Sequence, residues 1–319
     1  MLRSVVDAPQ NAFVSVVIPT RDRPQLVCRA VASVLAQTYG NFELIVVIDG
    51  ADPATQCQLT HIGDPRLRVV ALEKPVGGSE ARNTGAREAA GRWVAFLDDD
   101  DEWVPEKLEK QLRLAPGDGQ ETLIVCEFIL RSPGAADQVL PRRLPFASEP
   151  PSEFMFSSAC GFQTSTYLCQ RSLVLRVPFT KGLKKHQDYD WYLRVLNEPG
   201  VRLAVVKEPL AIWHHSSSIQ RVSLKEDWEF TLGWGKSRRH LMTGRGYSYF
   251  VVKICAKSAR TQGAGEKVFW QLFRECLSGA PTPRILGQLL VMALLPKAWE
   301  TQMRRQVAAL ETAGLRLVP

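Results

Sequence analysis

The 319-residue sequence has little that would staple, anchor or span. Its seven cysteines (Cys28, Cys57, Cys126, Cys160, Cys169, Cys255 and Cys276) are odd in number, scattered and never spaced C-x-x-C. That excludes a disulfide framework and a zinc-knuckle pattern, and reads as small buried hydrophobes in a reducing, cytoplasmic setting. The opening, MLRSVVDAPQNAF, has no apolar run and no small-residue cleavage site, so no secretory signal is expected. The longest apolar run, Ile285 to Leu295, is 11 residues, contains Gln288 and stops at Pro296. A spanning helix needs about 20. G-x-G-x-x-G is absent, which argues against a dinucleotide-dependent dehydrogenase. No internal repeat and no low-complexity segment is present.

What is present is an ordinary globular composition, 45% hydrophobic, with a net charge of +7 that is unevenly placed. Residues 1–200 hold 22 basic and 25 acidic side chains; residues 201–319 hold 18 and 8. The two parts are expected to do different work. The first alternates β-rich runs with helical spacing: Phe13 to Ile18, Phe42 to Ile48, Leu67 to Leu72 and Trp93 to Leu97 as strands, Pro24 to Gln37 and Ser79 to Ala90 as helices. Such alternation predicts an α/β fold with a mainly parallel sheet covered on both faces, and ligands beyond the carboxyl ends of its strands. Those ends carry Thr20, Asp49 and the run Asp98 to Asp101. Further strands are predicted at Leu123 to Leu130, Phe162 to Leu168, Val201 to Val206 and Leu210 to Trp213. A loop-rich excursion over 132–151 and a short helix at Asp188 to Leu196 accompany them. From Ser223 the pattern is helical.

Four adjacent carboxylates repel one another unless a cation is supplied, and a divalent ion bound through carboxylate and phosphate oxygens is the natural one. The alternative is an acidic turn capping a helix near Pro105. Between Thr231 and Gly265 lie seven basic residues and no acidic one, interleaved with Trp234, Tyr247, Tyr249 and Phe250. Basic and aromatic residues together suggest peripheral contact with an anionic membrane; the alternative is a solvated basic helix face. No nucleic-acid-binding motif accompanies the charge, so no nucleic acid is expected.

Five blocks together resemble family 2 glycosyltransferases of the GT-A fold. They are Ser15-Val16-Val17-Ile18-Pro19-Thr20-Arg21-Asp22-Arg23-Pro24, Ser33 to Tyr39 with Phe42 to Val47, Ala81-Arg82-Asn83-Thr84-Gly85, Phe96 to Pro105, and Gln187-Asp188-Tyr189-Asp190-Trp191. They occur in family order over roughly residues 13–215. The resemblance implies a catalytic domain over 1–220, with a basic helical region over 221–319. It implies an inverting, metal-assisted transfer from a nucleotide diphosphate donor, a UDP-sugar, to a hydroxyl of a glycan or lipid-linked acceptor. Pro19, Thr20 and Arg21 would contact the nucleotide, and Asp49 would accept a hydrogen bond from the uracil ring. Arg82 would meet diphosphate or sugar. Asp98 and Asp99 would approach ribose and metal, with Asp100 the principal ligand of manganese or magnesium. His215, better placed than His214, would reach the metal or the diphosphate. Asp188 would be the single general base, since a metal-neutralised leaving group needs no acid. Asp190 reads as structural or acceptor-side, and His186 has no assigned role. Departures from the family pattern are Gln187 for a glutamate, Arg21-Asp22 for Tyr-Asn, and Ile48 for a second aspartate. The alternatives are a sugar-nucleotide pyrophosphorylase, which should carry a Gly-rich first loop, and an inactive sugar-nucleotide-binding scaffold.

Overall fold

The structure, a computed structural model, describes residues 12–157, 161–215 and 227–294. The chain divides by internal contacts into two units, Met1–Lys225 with His240–Met242, and Glu226–Arg239 with Thr243–Pro319. The 220/221 boundary, Ser216 to Ser218 and Ser223 lie outside the described residues.

The first unit is built on one nine-stranded sheet. β1 (Val14–Thr20) is buried along its whole length, and β2 (Phe42–Ile48) nearly so. Continuous apolar runs such as these belong to a sheet covered on both faces. β3 (Leu67–Ala71) and β4 (Trp93–Phe96) complete a parallel set, β3-β2-β1-β4. The crossovers are α1 (Pro24–Leu35), α2 (Pro53–Thr60) and α3 (Gly78–Glu88). α1 starts with Pro24 in its first turn, where a missing N–H costs nothing, and buries Val27, Ala30, Val31 and Val34 at helical spacing. α3 lies close on β1 because Gly85 has no side chain: a Cβ there would stand 2.3 Å from Val17 Cγ1.

Beyond β4 the sheet is mixed rather than mainly parallel. β5 (Glu102–Trp103) precedes α4 (Lys107–Leu112); β6 (Thr122–Arg131) is followed by β7 (Gln138–Leu140), which pairs with it inside the excursion predicted as loop. α5 (Pro151–Ser157) follows. β8 (Leu168–Gln170) runs antiparallel to β4 and β6, so the polypeptide enters the sheet from the other end. The strand predicted over Phe162 to Leu168 is therefore a correction. Thr164–Thr166 forms a 3-10 turn, closed by Tyr167 N–H on the Thr164 carbonyl (3.0 Å), and pairing begins only at Leu168. α6 (Arg171–Arg176) and α7 (Gln187–Leu196) come next. The two predicted closing strands are one, β9 (Arg202–His214). It crosses Pro209 at a register shift opposite Glu127, where a missing N–H is tolerated. β9 is parallel to β6 and antiparallel to β5.

The second unit is helical: α8 (Trp228–Ser237), α9 (Gly244–Phe250) continuing through a π-helical turn at Val251–Ala256 into α10 (Lys257–Thr261), α11 (Gly265–Leu277) and α12 (Pro283–Leu294). Among the described residues no helix is long and apolar enough to cross a membrane.

Candidate active site

Carboxyl-terminal ends of β1, β2 and β4 converge at one edge of the sheet, and the acidic segment turns there. Asp101 N–H bonds the Asp98 carbonyl (3.1 Å), so the run folds back on itself and its carboxylates diverge. Each then finds a different partner. Asp99, buried, accepts from Thr20 Oγ1 (2.8 Å) and from Arg23 Nη1 (2.9 Å). Burial pushes its carboxyl up to about 6 against the opposing pull of Arg23, and the neighbouring Asp100 adds to the rise. Asp100 lies 3.6 Å from the same guanidinium, and its carbonyl accepts from Arg29 Nη2 (2.6 Å). Asp98 is the most open of these three carboxylates, and Arg82 Nη2 donates to it.

Asp101 faces inward instead, to Ser165. The Ser165 hydroxyl donates to Asp101 Oδ2 (2.6 Å) and accepts from Asp98 N–H (3.2 Å), while its carbonyl accepts from Trp103 Nε1 (2.7 Å). Ser165 thus ties both ends of the acidic turn to the sheet. Below it Lys107, fully buried, lies 3.9 Å over the Trp103 ring and donates to Gln111 (2.6 Å). Burial lowers the Lys107 ammonium to about 8.

Asp49 closes β2 and uses both carboxylate oxygens on backbone: Val76 N–H (2.6 Å) and Gly77 N–H (3.0 Å). Gly77, at φ 89°, takes a conformation that favours glycine, and α3 starts directly after it. The Ala-Arg-Asn-Thr-Gly block then divides its tasks along one helix. Asn83 clamps the Phe179 backbone through its carbonyl (2.9 Å) and N–H (2.8 Å), and Gly85 permits the contact with β1. Arg82, 8% exposed, reaches Gln187 Oε1 (2.8 Å) and Asp98, with its guanidinium 5.5 Å from the Phe179 ring. Its Nε–H is buried and has no hydrogen-bond partner. A buried donor left unmade is costly, and at this position the acceptor can be supplied by a bound ligand, ion or water.

α7 brings Asp188 to this group. His186 at its N-cap is in the left-handed region (φ 65°), is buried and stacks on Tyr189 at 5.5 Å; burial drives its imidazolium down to about 3, so the ring is neutral. Asp188 Oδ1 accepts Tyr189 N–H (2.9 Å). Its carboxyl is pushed up to about 6, first by burial and then by the Asp98 charge, with Arg82 pulling the other way. Asp190 is structural: fully buried, it holds Thr180 (2.6 Å) and Arg194 (2.8 Å). Gln187, the departure from a glutamate, spends its amide on Arg82 and on the Leu183 carbonyl (2.6 Å).

The structure therefore brings Thr20, Asp98, Asp99 and Asp100 together with Arg23, and Arg82 and Asp188 with Asp98. Asp49 sits at the neighbouring strand end, under the loop that starts α3. Pro19 lies within β1, paired with Val47. Two predicted residues are placed elsewhere. Arg21 is exposed and pairs with Asp22 (3.3 Å), not with the acidic segment. His215 is exposed with its ring edge-on to Trp213 (5.8 Å), whereas His214 Nε2 meets Glu102 Oε1 at 2.6 Å. Successive side chains on a strand face opposite ways, and the β5–β9 pairing turns His214 inward. Residues the sequence reading missed are Arg23, Arg29 and Ser165. Arg23 lay inside a quoted block and its charge was the available signal; Ser165 had none, being 64 residues from its partner Asp101.

A metal would have to be held by hard oxygen donors. Among the described residues no group of three or more His, Cys, Asp or Glu side chains forms a complete cage. Asp99 is already committed to Thr20 and Arg23. The residues present fit a divalent ion that takes one or two carboxylates from the protein and the rest from phosphate and water.

Acidic strand ends, the buried Arg82 on the crossover helix α3 and the raised carboxyls of Asp99 and Asp188 meet at one edge of a sheet whose fold is of the GT-A glycosyltransferase type. The chain belongs to glycosyl transferase family 2, whose profile matches residues 15–180, more than half of its length. It is 28% identical over 249 residues to the amylovoran biosynthesis glycosyltransferase AmsB of Erwinia amylovora, covering 75% of this chain and 82% of that one. It is 27% identical over 190 residues to the UDP-Glc:alpha-D-GlcNAc-diphosphoundecaprenol beta-1,3-glucosyltransferase WfgD of Escherichia coli, covering 59% and 72%. In fold it is similar to S. aureus TarS 1–349, solved in complex with UDP-GlcNAc. The TM-score is 0.60 at 15% identity, over 96% of this chain and 93% of that one.

Proposed function

We propose that this glycosyltransferase acts in polysaccharide biosynthesis. It would transfer a sugar from a UDP-sugar to a hydroxyl of a glycan or lipid-linked acceptor, with inversion, at the cytoplasmic face of the membrane. The observation that carries the reading is the buried Arg82, its Nε–H unpartnered, between Asp98 and the raised carboxyl of Asp188. The relatives named above support the substrate class: one is named for a UDP-glucose donor and a diphosphoundecaprenol acceptor.

Asp188 takes the acceptor hydroxyl proton as that oxygen bonds to the anomeric carbon, and the bond to the diphosphate oxygen breaks on the opposite side. A carboxyl near 6 is largely ionised at neutral pH, yet basic enough to hold the proton. Arg82 offers a fixed positive charge and a free N–H to the phosphate oxygens. Thr20 and Arg23 hold Asp99 in place, and Asp49 shapes the Val76–Gly77 turn beside the uracil position. Asp100 would hold manganese or magnesium together with the donor phosphates. When bound, the ion neutralises charge on the departing diphosphate.

The test is a thermal-shift screen of nucleotides and nucleotide sugars with and without manganese, followed by transfer assays with the stabilising donor. A ligand at 100 times its Kd stabilises by about 2.7 kcal/mol. A metal-dependent shift selective for UDP and a UDP-sugar is expected. No shift with any nucleotide overturns the reading.

A further inference from the structure

In the second unit, α11 and α12 pack together and leave open a face that the transfer reaction does not use. On α11 the exposed positions include Lys267, Trp270, Arg274 and Leu277. Spacings of three and four place them on one side of the helix. Its opposite side is filled by Leu272 and Cys276, which are 1% and 0% exposed, so Trp270 is not a displaced core residue. Trp270 is 68% exposed, and Leu290 and Val291 of the neighbouring α12 are 42% and 48% exposed.

Among the described side chains the charge on this face has one sign. Glu275 of α11 is turned away from it, accepting from Tyr247 Oη (2.8 Å) and pairing with Lys236 Nζ (2.5 Å). Lys267 and Arg274 have no ion-pair partner among the described residues. A stripe that alternates cation and apolar group matches a surface with anionic headgroups above an acyl layer: long basic side chains stay among the phosphates while the indole enters below them. A second copy of the chain, docked on the same face, would instead bring these cations against their own kind.

We propose that the α11–α12 face docks on an anionic phospholipid bilayer, with Trp270 and Leu277 entering the headgroup–acyl boundary and Lys267 and Arg274 on the phosphates. The inference does not rest on the proposed reaction, since binding is read without donor or acceptor. The full chain is to be sedimented with vesicles of phosphatidylglycerol and phosphatidylcholine, and with phosphatidylcholine alone. Binding to the anionic vesicles that is lost in high salt, and none to the neutral ones, is expected. Each cation near an anionic surface is worth about fivefold in binding. The double variant Lys267→Glu/Arg274→Glu should therefore weaken it at least about 25-fold. Trp270→Ser should weaken it on the order of tenfold. Lys207→Glu, which changes the charge by as much as either single substitution and lies at an exposed position of β9, should leave it nearly unchanged. Three outcomes each overturn the proposal: no binding by the folded chain, equal loss in Lys207→Glu, or binding indifferent to Trp270→Ser. A concentration-dependent dimer abolished by Trp270→Ser, without vesicle binding, would give the face to a second copy.

Discussion

Asp188→Asn removes a charge while leaving the shape of the side chain, and it should move activity and stability in opposite directions. The Asp188 carboxyl stands at about 6 in the folded chain. An unperturbed aspartate titrates near ~3.9, and each unit of displacement is about 1.4 kcal/mol. Holding the ionised form in place therefore costs the folded state up to about 3 kcal/mol above pH ~6. Between pH ~4 and ~6 the folded chain keeps a proton that the unfolded chain has released, so stability falls as pH rises through that window. Asparagine has no charge to bury. The variant should be more stable than the wild type by about 1–3 kcal/mol near pH ~8, and the difference should vanish near pH ~4. Transfer should drop by about 10²–10⁴, the worth of a positioned base, with donor affinity kept. Urea unfolding at both pH values, a donor titration and a pH profile of kcat/KM measure all three. The wild-type profile should fall off below about pH 6. Turnover within tenfold of the wild type, or a variant less stable near pH ~8, would refute the assignment of Asp188 as a partly buried base.

Gly85→Ala should cost about 1–3 kcal/mol, because the new Cβ meets Val17 Cγ1 at 2.3 Å; Val17→Ala in the same chain should recover part of the loss in Tm. Asp49→Asn places an amide NH2 against one of two backbone donors, so about 1–3 kcal/mol of stability and part of the UDP-induced thermal shift should disappear. Chelation should abolish transfer and readdition of manganese or magnesium restore it, with Asp100→Asn raising the metal concentration needed; undiminished turnover in chelator would remove the metal. Lys107, buried with its ammonium lowered to about 8, should make stability rise with pH from about 8 to about 10 as the unfolded chain retains the proton. Lys107→Met should flatten that slope in denaturant titrations.

Much of the parallel half of the fold was legible. β2 matches its predicted span, and β1, β3, β4 and α1 differ only at their ends, because buried strands and amphipathic helices announce themselves by periodicity. Short elements were not. α2, α5, α6, β5 and β7 carry too few turns or too few alternating residues for a pattern to emerge, and the Thr164–Thr166 turn is rich in residue types that favour strands. At the site, the acidic run and Arg82 could be read from charge and spacing. Their pairings could not: Arg82 meets Gln187 across 105 residues, and Arg23 meets Asp99 across 76.

The sequence by itself determined the succession of β1, α1, β2, β3, α3 and β4, the placing of carboxylates at strand ends and the split between an acidic first part and a basic second part. These follow from local periodicity and from composition, which act over a few residues. Tertiary structure alone decided that β8 enters antiparallel, that β9 runs unbroken past Pro209, that Ser165 ties down both ends of the acidic turn and that His214 rather than His215 faces Glu102. Each of those depends on which distant segment lies alongside, and burial raises the carboxyls of Asp99 and Asp188. No window of sequence contains that information, because the partner is supplied by packing.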